Sequence, residues 1–164
     1  MSKLNWFKAD TPDDRSQDIL VSFSSRWNDL LRNGSINLVF RRRYPKTLGA
    51  KRMFIYVGSP YSEIIGFSII KDIKPMTFTE GIRLLDKAQI TKPELEMYFQ
   101  GYSSVGGYRV SKITLFDSPV SLQTLRGESG FSPPQSFVFL SKRASIWLDQ
   151  QPHTGQGPHC RKRD

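Results

Sequence analysis

Residues 53–73 read MFIYVGSPYSEIIGFSIIKDI, two apolar runs separated by a short polar turn. Met53 to Val57 is β-branched and aromatic enough for a strand, and Gly58-Ser59-Pro60 halts it. Glu63 to Ile73 is a second strand, long and apolar enough to be central to a sheet. Upstream, Ile19 to Phe23 reads as a strand. Ser24 or Ser25 then caps a short helix carrying Trp27, Leu30 and Leu31, stopped by Asn33-Gly34. Asn37 to Arg42 is a further strand. Downstream, Thr77 opens a helix to Ala88, with Glu80 placed to complete its cap. Thr91-Lys92-Pro93-Glu94 opens another helix, with proline in the first turn. Gly106 to Asp117 reads as one strand, Ser121 to Arg126 as a short helix, and Ser136 to Leu140 as the last strand. This rhythm lacks the regular β-helix-β alternation of a doubly wound sheet. The expectation is an α+β fold, a small mixed or antiparallel β-barrel of five to six strands with short peripheral helices.

The chain has 164 residues, so one domain with tails is expected. Residues 1–17 read as a polar arm that Trp6 and Phe7 dock. Residues 18–147 read as the domain, and 148–164 as a disordered basic tail whose composition leaves almost nothing to bury. Cys160 is the single cysteine, which excludes an internal disulfide framework and points to a reducing compartment. The N-terminus has no apolar signal-peptide core, and the longest apolar runs are too short to cross a bilayer. A cytoplasmic protein without membrane contact follows as the expectation. Oligomeric state has no signature in the sequence.

The net charge of +9 favours anionic partners. Its distribution is more telling than its total. After Asp29 the next acid is Glu63, and between them lie Arg32, Arg41, Arg42, Arg43, Lys46, Lys51 and Arg52. On a strand, Arg41 and Arg43 share one face, and paired guanidinium forks suit phosphate oxygens or a base edge. Phe40, Tyr44, Phe54, Tyr56 and Tyr61 interleave with these charges. Phe40, Phe54 and Tyr56 read as core. Tyr44 and Tyr61 stand beside Pro45 and Pro60 in loops, where a ring can stack on an unpaired base.

Three stretches in this order resemble the ASCH domain family, a PUA-like fold. They are Gly34 to Pro45, GSINLVFRRRYP; Phe54 to Pro60 with Ile64-Ile65-Gly66; and Phe116 to Leu122 followed by Gly130 to Phe137, GFSPPQSF. The last is the most specific, and it resembles a subgroup described as predicted transcriptional regulators. The resemblance covers roughly residues 18 to 142. It implies a PUA-like barrel and a nucleic-acid cleft between the Gly58-Ser59-Pro60 turn and the basic strand. Pro133-Pro134 fixes an extended approach that lets Gln135 and Ser136 present polar groups at the mouth. The backbone amides of Gly58 and Ser59 would meet a phosphate or base. Many members place Lys two residues after the leading glycine and Glu or Thr three further on, and an amidohydrolase branch uses that lysine with a threonine. Ile36 and Val39 stand there in this chain, and neither can activate water.

No catalytic residue, cofactor or metal site emerges from the remaining residues. His153, His159 and Cys160 lie in a Gly- and Pro-rich stretch without paired ligands. The expected function is a nucleic-acid-binding regulatory or reader module, with RNA a more natural partner than DNA. Its expected contacts are Arg41, Arg43, Tyr44, Lys46, Lys51, Arg52, Gly58, Ser59, Tyr61, Gln135 and Ser136. Two alternatives stand beside it: a nuclease or hydrolase of modified nucleosides, and an adaptor whose basic face meets an acidic protein.

Overall fold

The computed structural model describes residues 5–46 and 49–153. Seven strands and six α-helices follow one another: β1 (Arg15–Phe23), α1 (Asn28–Arg32), β2 (Leu38–Arg41), β3 (Arg52–Val57), β4 (Glu63–Met76), α2 (Phe78–Ile82), α3 (Leu85–Ala88), α4 (Lys92–Phe99), β5 (Val105–Val110), β6 (Thr114–Ser121), α5 (Leu122–Ser129), β7 (Phe137–Ser141) and α6 (Lys142–Asp149). The cap expected at Thr77 with Glu80 forms at α2, and Thr91 with Glu94 makes a second reciprocal capping box at α4. Neither Ser24 nor Ser25 makes a side-chain cap, and α1 begins after Trp27.

The strands make one mixed sheet in the order β2-β5-β4-β3-β1-β7, with β6 on β4 off this path. β1 runs parallel to β3, and the other pairings are antiparallel. The sheet therefore has seven strands, not five to six, and it is not closed: β2 and β7 do not pair with each other among the described residues. The outer edge of β7 is taken instead by the N-terminal segment. Ala9 N–H donates to Phe139 C=O at 2.9 Å, and Ser141 N–H to Phe7 C=O at 2.9 Å. A covered edge needs no barrel closure to satisfy its backbone.

The single strand expected over Gly106 to Asp117 is two. β5 pairs with the far half of β4, from Ile70 to Met76, and β6 with its near half, from Glu63 to Phe67. Between them Ser111 N–H donates to Ile69 C=O at 2.8 Å, and the chain crosses from one ladder to the other. The fourteen residues of β4 thus carry three partners.

The central stretches of β1, β3 and β4 bury both faces. Ile19, Val21, Met53, Ile55, Val57 and Ile65 point into one core, roofed by Trp27, Leu31, Leu95 and Phe99 of the α1–α4 side. Leu20, Phe54, Tyr56, Ile64 and Phe67 point into a second, closed by Phe7, Leu125, Phe131, Ala144 and Leu148. The polar arm is therefore docked through a buried Phe7, and Trp6 Nε1 donates to Glu128 C=O at 3.0 Å. The boundary drawn at Leu148 also shifts: α6 runs to Asp149, Leu148 is fully buried, and His153 bridges to Phe116. Residues 154–164, with His159 and Cys160, lie outside the described residues.

Gly66 sits at a bulge in β4, where a Cβ would lie 2.1 Å from Thr114 C=O. Backbone cannot yield as a side chain can. Gly66→Ala is expected to cost roughly 3 kcal/mol in urea unfolding by disturbing the β4–β6 ladder. A loss under about 0.5 kcal/mol would show that the bulge relaxes freely.

Candidate nucleic-acid interface

A cleft of about 1040 Å³ opens where the ends of β1 and β2 meet α4 and the start of β7. Arg26 and Trp27 line it from the turn after β1, and Arg41, Arg42 and Arg43 from the end of β2. Met97, Tyr98 and Tyr102 come from the C-terminal end of α4, and Pro134 to Val138 from the approach to β7. The extended GFSPPQSF stretch is held in place by Ser22, whose Oγ donates to Pro134 C=O at 2.7 Å and whose N–H donates to Ser136 C=O at 3.3 Å. Arg41, Arg43, Gln135 and Ser136 are thus brought together around one cleft.

The arginines are not equivalent. Arg41, half-buried, donates to Phe40 C=O at 2.9 Å and Ser22 C=O at 3.2 Å, with its guanidinium 4.5 Å from the centre of the Phe23 ring. Burial holds its pKa below the usual guanidinium value, opposed by Tyr98 and Tyr108. Arg42 donates to the carbonyls of Met97 and Tyr98, capping the C-terminus of α4 where the helix dipole favours a cation. Arg26 pairs with Glu94 at 2.5 Å and stacks 4.2 Å from the Trp27 ring. The side chain of Arg43 is exposed and makes no ion pair among the described residues. Glu94 is the cleft's one acid. Its carboxyl is held below the usual carboxylate range by the Thr91 backbone N–H, with Arg26 adding to the effect.

The other expected contacts lie elsewhere. Lys51 and Arg52 stand at the opposite end of β1, where Lys51 N–H donates to Gln17 C=O at 2.6 Å. That is roughly 15 Å along the strand from the cleft at ~3.3 Å per residue. Arg52 is internal: it forks onto the buried Asp18 at 2.8 and 2.9 Å and onto Asp149 at 2.5 Å, and Ser145 Oγ completes the network by donating to Asp18 at 2.7 Å. Arg32 pairs with Glu63 at 3.1 Å. The gap in acidic residues along the chain is therefore not a gap in space.

Tyr44 is half-buried, its ring lying on Gly106, where a Cβ would come within 2.4 Å of ring carbons. That glycine gives the ring its seat, so Tyr44 is packing and not an open stacking surface. Lys46 is exposed, 5.9 Å from the same ring. Gly58, Ser59 and Tyr61 form the β3–β4 turn, with Tyr61 41% exposed as expected, but none of the three lines the cleft. Sequence reasoning missed Arg26, Trp27, Tyr98, Tyr102 and Glu94. In the sequence Trp27 reads only as part of the short helix after β1, and Glu94 only as part of the opening turn of the next one. Among the described residues no three His, Cys, Asp or Glu side chains are grouped to hold a metal, and no helix is long and apolar enough to cross a membrane.

Arg52→Ala separates these roles. It leaves a buried carboxylate without its cation and is expected to cost about 3 kcal/mol in chemical denaturation. Binding of a labelled oligonucleotide at a temperature where the variant is folded is expected to stay within about 2-fold of wild type, a difference of ~0.4 kcal/mol.

No family model matches the chain. It is 25% identical over 136 residues to an ASCH domain-containing ribonuclease of Zymomonas mobilis, spanning 82% of this chain and 90% of that protein. The crystal structure of ASCH from Zymomonas mobilis superposes with a TM-score of 0.71 at 25% identity, over 81% of this chain and 94% of that one. The N-terminal domain of Staphylothermus marinus McrB shares the fold more distantly, with a TM-score of 0.55 at 15% identity over 91% and 97% of the two chains. Ile36 and Val39 are both buried in the core on the α1–α4 side. In sequence and in fold, the chain is similar over most of its length to the ASCH protein of Zymomonas mobilis.

Proposed function

We propose that the cleft binds single-stranded nucleic acid, RNA before DNA, and that the protein serves as a reader or regulatory module. The observation that carries this reading is the convergence of four arginines with the accessible rings of Tyr98 and Tyr102 around a single carboxylate. Guanidinium groups recognise phosphate oxygens, and exposed rings stack on unpaired bases of any identity. The volume suits a few nucleotides of one strand. Arg43 is the natural phosphate contact at the rim, with Lys46 extending the field beyond it. Gln135 and Ser136 offer an amide and a hydroxyl for a base edge or a ribose. The related Zymomonas mobilis protein is named a ribonuclease, which supports RNA as the polymer.

That same name favours a second reading, RNA cleavage in this cleft. Attack by a 2′-hydroxyl on phosphorus requires cations for the developing charge and groups that move protons. The arginines supply the first; Glu94, Tyr98 and Ser136 are the proton-bearing groups available. Incubation of end-labelled RNA and its all-deoxy counterpart separates the readings. Cleavage confined to RNA supports the enzyme, whereas retention of both polymers intact with a measurable Kd supports the binding module.

Fluorescence anisotropy over a salt series tests the binding itself. Removing one phosphate contact by Arg43→Gln is expected to lower the slope of log K against log salt by about 0.7, the single-strand value per phosphate. Glu94→Gln keeps the reciprocal cap, since glutamine serves at that position, but frees Arg26. It is expected to bind more tightly, with a steeper slope by about the same amount. Unchanged slopes in both variants would place the polymer somewhere other than this cleft.

A further inference from the structure

The cleft floor carries a cation with no counter-charge. Arg41 lies between two environments. Below it is apolar interior, a void of only about 10 Å³ lined by Phe23, Trp27, Ile36, Leu38 and their neighbours; above it is the open cleft. Its guanidinium is fixed by Phe40 C=O, by Ser22 C=O and by the Phe23 ring. Two of its five N–H donors are engaged in those bonds, its side chain also hydrogen-bonds with Tyr98, and among the described residues no carboxylate lies within ion-pairing distance. Elsewhere in the protein the partly buried arginines are compensated, Arg52 by Asp18 and Asp149 and Arg32 by Glu63. Glu94, the cleft's own acid, is committed to Arg26 and to the Thr91 cap.

A cation taken from water without an anion is costly, and carbonyl dipoles offset only part of that cost. The free energy is recovered when an anion arrives. We infer that Arg41 is a fixed anchor for one phosphate group, so that the cleft recognises a phosphorylated nucleotide as its smallest unit. This rests on the proposed nucleic-acid reading and goes beyond it, because it assigns a single phosphate to a single side chain. A dianionic or monoanionic phosphate suits the site better than a neutral base edge, since it supplies the missing charge. Its oxygens accept the remaining guanidinium donors, and Tyr98, which adjoins the guanidinium, offers a hydroxyl beside them. Arg43 at the rim is exposed by comparison, and contributes to steering more than to the anchor.

The probes are adenosine 5′-monophosphate and adenosine, titrated into the whole protein at low salt by isothermal calorimetry. The Arg41 Nε–H resonance is followed in parallel by NMR. The monophosphate is expected to bind about 10-fold more tightly than the nucleoside and to shift that resonance. Arg41→Gln is expected to reduce the preference to below about 2-fold, while Lys51→Gln, at the far end of β1 from the cleft, retains most of it. Arg41→Lys keeps the charge but loses the fork, and is expected to fall between the two. It also serves as the informative variant if the glutamine form does not fold. Equal binding of both probes by wild type, or an undiminished preference in either Arg41 variant, overturns the anchor. In that outcome oligonucleotide binding sensitive to Arg43 leaves the broader reading intact. Conversely, a monophosphate preference that depends on Arg41, in a protein that ignores oligonucleotides, keeps the anchor and removes the RNA reading.

Discussion

Ile19 to Val21, Met53 to Val57 and Ile64 to Phe67, at the heart of β1, β3 and β4, are buried on both faces, and the rest of the architecture answers that constraint. Apolar side chains alternate to both sides of these strands, so each side needs its own cover. One cover is built from α1 to α4, and the other from α5, α6 and the docked N-terminal segment. The cleft is a consequence of the first cover. The four helices of that side are short, and they leave the ends of β1 and β2 open beneath α4. What fills the exposed end is a cluster of arginines and rings that no second layer roofs over.

Local signals carried most of the elements. A β-branched run, a capping residue with its acid three positions on, and a glycine stop each act over a few residues, and these are legible without tertiary knowledge. Strand pairing is not of that kind. Whether Gly106 to Asp117 is one strand or two depends on β4, which offers different partners along its length. The same holds at Gly66, where glycine looks like a motif position in sequence and is a backbone close approach in space. α6 escaped notice because its apolar side is thin; Ala144 and Leu148 suffice only because β1 and β7 present a ready surface.

The basic segment shows how far charge along the chain can be read. An acid-free run between Asp29 and Glu63 suggested one continuous patch. The fold divides it. Arg52 turns toward Asp18 and Asp149, residues 34 and 97 positions away, and becomes part of the scaffold. Arg32 turns toward Glu63, and Arg42 toward the last carbonyls of α4. Arg41 and Arg43, the pair that periodicity put on one face, both line the cleft. A formal charge of +9 therefore overstates the field at any one place.

The positions of Ile36 and Val39 bear on chemistry as much as on packing. In the ASCH pattern that the sequence resembles, those places hold lysine and threonine or glutamate, groups that move protons. Here both are buried apolar side chains. A lysine substituted at either place would have to lose its charge or disrupt the core, because nothing nearby compensates it. Both positions lie in the buried core and neither lines the cleft, whose own groups are guanidinium, hydroxyl, amide, ring and one carboxylate. Such a set holds phosphates and bases well and shifts protons poorly, since guanidinium stays charged at any physiological pH and unassisted hydroxyls are weak acids and weaker bases. Recognition asks only for what this cleft holds, while cleavage asks its lone carboxylate, already committed to Arg26 and Thr91, to leave both partners.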